Sequence, residues 1–215
     1  MNLLVIFLAR TISKEIFVNI PDKKLIQNFI EILSDALSYA EFTLTYREGT
    51  VKIRVYGEKE EVNQALLTIK SYGKMFLQSI TADKEGVYIH NLRLIQQIGS
   101  KIISLDILNT VLKYSGFESK IDGQNLVTQA TMKEVQYILK QLHNLIQDTP
   151  LSVRTQIMKK VLATISYCTN LSPSFVLDKG LELGYFKTQQ NNVSINYEPD
   201  KCIKDLIEIM SNESL

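Results

Sequence analysis

Two aromatic and three cationic side chains fall at alternate places along short β-like runs near the start of the chain: Phe17, Arg47, Lys52, Arg54 and Tyr56. Between residues 42 and 56 the apolar residues Phe42, Leu44, Tyr46, Val51, Ile53 and Val55 take every second position on either side of a Glu48-Gly49 turn. Successive side chains of a strand point to opposite faces, so Thr43, Thr45, Arg47, Lys52, Arg54 and Tyr56 must share the face that the apolar set leaves. Ile16, Val18 and Ile20 alternate in the same way and bring Phe17 to that side. Aromatic rings can stack on bases of any sequence, and guanidinium and ammonium groups can hold phosphate. That is the chemistry of single-stranded RNA binding rather than of catalysis. The same face also suits a covering layer of protein, from the rest of the chain or from a second copy.

A second candidate phosphate contact is Lys101, in Gly99-Ser100-Lys101-Ile102 between two predicted helices. Residues 83–149 read as βααββα, an order that resembles one class of KH domain. The resemblance implies a loop of the form G-x-x-G that clamps a nucleic-acid backbone between the paired helices. Gly99 supplies the first glycine, but Ile102 fills the position of the second, where close approach needs a bare backbone. The motif is degenerate, and an ordinary helix–helix turn is the plain alternative.

Nothing else has the spacing of a reaction centre. His90 and His143 have no acidic or cysteine companion at ligand spacing, and Cys168 and Cys202 form no metal or redox motif. There is no phosphate-binding loop, dinucleotide fingerprint, nucleophile elbow or kinase signature. The expectation is a non-catalytic protein with neither cofactor nor metal. Net charge is +1, with 10 basic against 9 acidic residues over 1–80 and seven of each over both 81–150 and 151–215. That balance argues against binding driven by bulk cationic charge but leaves a folded basic patch open. In the last third, the helix carrying Ser172, Ser174, Asp178, Lys179 and Glu182 has too few cations for a DNA groove, and is expected to pack or to meet a protein.

The elements that must position these residues are legible in the periodicity. With 45% apolar residues the chain can bury substantial cores. It also repeats itself: Leu37-Ser38-Tyr39-Ala40-Glu41-Phe42 and Leu112-Lys113-Tyr114-Ser115-Gly116-Phe117 share a pattern, and Glu61-Val62 with Leu66 matches Glu134-Val135 with Leu139. The predicted fold is α+β: a βαββα module over 14–82, a βααββα module over 83–149, and a mainly helical, partly winged-helix-like tail over 150–215. Asp122-Gly123 marks a tight hairpin, Thr131-x-x-Glu134 a capping box, and Asp148-Thr149-Pro150 the break before the tail. Residues 1–13 hold a short apolar run with no basic residue ahead of it. They read as an extra strand or an extension docking on the fold, too short to cross a membrane.

The segments Gly86-Val87-Tyr88-Ile89, Ser104-Leu105-Asp106-Ile107-Leu108, Tyr114-Ser115-Gly116-Phe117, Asp122-Gly123 and Thr128-Gln129-Ala130, with Asp178-Lys179-Gly180-Leu181-Glu182-Leu183-Gly184, are similar to a family of uncharacterised archaeal proteins. The resemblance spans roughly Lys14 to Met210 and implies an archaeal cytoplasmic protein without an assigned activity. Separately, the βαββα module resembles the small subunit of the archaeal tRNA-modifying KEOPS complex. Two partner classes follow as expectations: RNA or a ribonucleoprotein, or else a protein partner in an adaptor or self-associating scaffold.

Overall fold

The computed structural model describes residues 11–20, 23–98, 103–189 and 192–213. The Gly99–Ile102 loop with Lys101, most of the apolar N-terminal stretch, and Gln190 and Asn191 lie outside the described residues. The fold is mixed α+β with antiparallel sheets, and it divides after Thr81 into two compact units.

In the first unit, β1 (Ile12–Asn19) is followed by a single 3-10 turn at Lys23–Leu25, α1 (Ile26–Ala36), β2 (Glu41–Arg47), β3 (Thr50–Gly57) and α2 (Lys59–Ile80). The β2–β3 hairpin turns on Glu48 and Gly49, with φ of 45° and 82°. Two left-handed residues in a two-residue loop match the right-handed twist of the flanking strands. The turn is secured by the Gly49 N–H, which donates to the Tyr46 hydroxyl at 3.1 Å, and by the Ile20 N–H, which donates to the Gly49 carbonyl at 2.7 Å. β1 then pairs with β3, so the sheet order is β1-β3-β2. α2 begins at a capping box, where the Glu61 carboxylate accepts from the Glu58 N–H.

α2 packs on β1 and β3, and α1 packs on α2. Val18, Val51, Ile53 and Val55 of the sheet, Phe29, Ile32, Leu33 and Leu37 of the first helical segment and Val62, Ala65, Ile69 and Phe76 of α2 are all buried. Phe29 and Phe76 lie with ring centroids 5.1 Å apart, a pairing worth about 1 kcal/mol beyond the buried area. α2 runs beside β1 at Gly73, where a β-carbon would stand in ordinary contact with both Val18 methyls at 3.5 Å. The opposite face of the sheet carries the exposed half of each strand's alternation.

The second unit runs β4 (Tyr88–Asn91), α3 (Leu92–Ile98), α4 (Leu105–Tyr114), β5 (Ser119–Asp122), β6 (Asn125–Thr128), α5 (Met132–Gln147), α6 (Gln156–Thr169), α7 (Pro173–Glu182), β7 (Phe186–Gln189), β8 (Asn192–Ile195) and α8 (Pro199–Glu213). Its sheet has the order β4-β6-β5, with the first strand again beside the third. Asp122 pairs with Asn125, so the tight turn is Gly123-Gln124 rather than Asp122-Gly123. Gly123, at φ 57°, is its first residue. The capping box at α5 forms: Glu134 N–H donates to the Thr131 hydroxyl, and Glu134 accepts from the Thr131 N–H at 2.6 Å.

α6 joins two cores. Ala163 packs with Leu108, Val111, Leu112, Val135 and Leu142, while Leu162 and Ile165 pack with Val176, Phe186, Leu206 and Ile207. The helix is buried without a break from Val161 to Ser166, as expected for a helix covered all round. α7 lies close against β7: a β-carbon at Gly180 would stand 2.2 Å from the Phe186 ring, so only glycine fits.

Candidate nucleic-acid interface

The outer face of the first sheet is a grid of four rungs across three strands. Register sets them as Ser13–Tyr56–Glu41, Glu15–Arg54–Thr43, Phe17–Lys52–Thr45 and Asn19–Thr50–Arg47, in the order β1, β3, β2. At the usual strand and residue spacings the grid covers roughly 10 Å by 20 Å. A hollow of about 500 Å³ on it is lined by Phe17, Thr43, Thr45, Arg47, Thr50, Lys52 and Arg54. Four of the six residues expected from the sequence therefore share one concavity. Tyr56 is on the same face one rung beyond it, its hydroxyl 3.4 Å from Thr43 Oγ1, and Lys101 lies outside the described residues.

Phe17 is 62% exposed on an edge strand. The burial free energy of such a ring, about 2 kcal/mol or more, is largely unrealised until something covers it. Lys52 Nζ stands 6.0 Å from the ring centroid, a cation–π contact at the outer limit of its range. Thr43 and Thr45 flank the hollow with hydroxyls. Arg47 is exposed at one end, and its side chain forms no ion pair or hydrogen bond with a described residue.

Glu15 is the residue that sequence reasoning missed. Its carboxylate bridges the two central cations, with Oε2 2.9 Å from Lys52 Nζ and Oε1 accepting from Arg54 Nε at 2.7 Å and from a terminal guanidinium nitrogen as well. The hydrogen bonds from Lys52 and then Arg54 hold the Glu15 carboxyl below the usual carboxylate range. Glu15 first, then the Tyr56 hydroxyl, hold Arg54 above its ordinary value. The signal was available, since the alternation that puts Phe17 on this face puts Glu15 there too. The three cations thus bring less charge than their number suggests.

The outer face of the second sheet differs. It presents Ile89, Val127 and Lys120 on one rung and Asn91, Asn125 and Asp122 on the next, with no aromatic side chain and one cation. His90 points to the inner side and is fully buried. Its Nε2 donates to the Ala130 carbonyl at 2.8 Å, which leaves Nδ1 as a buried acceptor with no hydrogen-bond partner among the described residues. Burial pushes its pKa down, so the ring is neutral at pH 7. Burial also pushes the Cys168 thiol up to about 12, which makes it inert as a nucleophile. No group of three His, Cys, Asp or Glu side chains among the described residues is placed to hold a metal ion. No helix among them is long and apolar enough to cross a membrane.

The chain matches a family of uncharacterised proteins conserved in archaea over residues 18–204. An uncharacterised protein of Methanocaldococcus jannaschii is 23% identical over 170 residues, which cover 77% of this chain and 80% of that protein. One from Methanococcus vannielii is 24% identical over 163 residues, covering 75% and 78%. No solved structure matches the chain. The match takes in the β1–β3–β2 sheet from Val18 onward as well as nearly all of the second unit, and on that extent the chain belongs to this archaeal family.

Proposed function

We propose that this protein is a non-catalytic RNA-binding protein that holds single-stranded RNA, free or within a ribonucleoprotein, on the outer face of β1-β3-β2. The observation that carries the reading is Phe17, exposed beside Lys52 and Arg54 in a hollow that Arg47 closes at one end. A base stacks on the ring and the backbone runs along the cations. The KH-like order of residues 83–149, with Lys101 as a secondary phosphate contact, supports the same class of ligand. We read the two sheets, which share one strand order, as copies of a duplicated helix–hairpin–helix unit of which the first kept the binding face. The tail reads as a winged-helix-like segment used for packing. Lys179, the cation on α7, lies 3.5 Å from Glu182, which leaves a poor phosphate surface.

The test is titration of fluorescent single-stranded RNA at 50 and 200 mM salt with wild type and an Arg47→Ala, Lys52→Ala, Arg54→Ala triple variant. Arg47, Lys52 and Arg54 less the Glu15 charge leave two positive charges at the hollow, with Glu41 a rung beyond it, so wild-type affinity falls about 7-fold across that range. The triple variant binds weakly and loses the salt dependence. Affinity indifferent to both changes removes the proposal.

One observation favours a second reading, in which a protein layer covers the same face. Glu15 neutralises much of its charge, and a half-neutral face with one prominent aromatic also suits an adaptor or a self-associating scaffold. Solution mass separates the two: a dimer that Phe17→Ala dissociates supports the protein layer.

A further inference from the structure

Glu15 does more than dilute the charge of the face. Its two carboxylate oxygens are divided between the two cations, one facing Lys52 and the other Arg54. The two non-bridging oxygens of a phosphodiester present the same pair of acceptors. We propose that Lys52 and Arg54 form a phosphate subsite which Glu15 occupies as a built-in surrogate, so that this carboxylate sets how tightly and how salt-sensitively the face holds RNA.

Three features support exchange between carboxylate and phosphate. The pairs are open to water, with side-chain exposures of 40% for Lys52, 44% for Arg54 and 30% for Glu15, and exposed ion pairs are individually weak. Glu15 comes from an edge strand, so its side chain can swing off the sheet without breaking the β1–β3 ladder. Phe17 stands on the next rung of the same strand, against Lys52, where a base attached to that phosphate finds a stacking surface. A surrogate of this kind keeps the two guanidinium and ammonium groups pre-placed while lowering the affinity for stray anions. The regulated quantity is affinity, and the ligand class is the phosphodiester of a single-stranded RNA.

The inference rests on the RNA reading, and the experiment separates the two. Glu15→Gln keeps the shape and removes the charge. We expect it to tighten RNA binding about 5-fold at 50 mM salt, the combined effect of losing two exposed, individually weak competing ion pairs. Raising the positive charge at the hollow from two to three steepens the loss between 50 and 200 mM from about 7-fold to about 18-fold. Both gains vanish when Lys52→Ala and Arg54→Ala are added to Glu15→Gln. If Glu15→Gln binds no more tightly than wild type while Phe17→Ala and Arg47→Ala still weaken binding, the RNA face stands and the surrogate is overturned. If neither wild type nor Glu15→Gln binds RNA, the reading of the face and the inference fall together. Thermal melts of each variant guard against loss of fold.

Discussion

Replacing Phe17 by alanine separates a binding surface from a structural one. The ring is 62% exposed, and Lys52 Nζ lies 6.0 Å from its centroid. On folding stability the change removes an exposed cation–π contact of about 0.5 kcal/mol and strand propensity of up to about 1 kcal/mol, so the loss stays near 1 kcal/mol. On RNA affinity it removes a stacked base worth about 1–3 kcal/mol, a 5- to 150-fold weakening of Kd. Phe17→Leu keeps most of the apolar area but has no π face, and we expect it to bind nearly as poorly as alanine. Fluorescence anisotropy with single-stranded RNA reads the affinities, and urea denaturation of the same samples reads stability. A stability loss of about 3 kcal/mol would mean that Phe17 is packed as core residues are, and the reasoning would fail. Unchanged affinity at unchanged stability would refute it equally.

Three further outcomes follow from the packing. Gly180→Ala gains about 1 kcal/mol of helix propensity but drives a methyl into the buried Phe186 ring, an overpacking cost of up to about 3 kcal/mol; urea melts should show a net loss, relieved when Phe186→Leu is added. Glu48 pays for its left-handed backbone at φ 45°, so Glu48→Asn should stabilise the first unit by about 1 kcal/mol, seen as a higher melting temperature. Burial lowers the His90 pKa from its ordinary 6.5, with the Ala130 carbonyl opposing only in part. Below pH 6.5 the unfolded chain therefore takes up a proton that the folded chain resists, and stability present above pH 6.5 is lost as the pH drops through the folded value. His90→Gln should flatten that slope in urea melts between pH 7 and pH 5.

The parts of the fold that were legible in the sequence are those set by local period and local turns. Strict alternation over residues 42–56 placed Arg47, Lys52 and Arg54 on one face, and the pattern of Ile16 and Val18 placed Phe17 beside them. Thr131 and Glu134 announced their capping box because both halves of it lie within one turn. What could not be read depends on register between distant strands or on packing between elements. Glu15 faces Arg54 only because β1 pairs with β3, 39 residues on, and that partner is invisible to periodicity. The Gly180 contact with Phe186 required the crossing of α7 over β7. The hairpin turn moved by one residue because Asp122 can still pair with Asn125, while Gly123 is the residue that tolerates the positive φ.

The most direct test of the RNA face is residue-resolved. In an amide chemical-shift titration of the isotopically labelled protein with a short single-stranded RNA, the account predicts perturbations concentrated on Glu15, Phe17, Thr43, Thr45, Arg47, Lys52 and Arg54, with the helices α1 and α2 largely unaffected. Perturbations confined to residues 82–215, or none at all at saturating RNA, would contradict it.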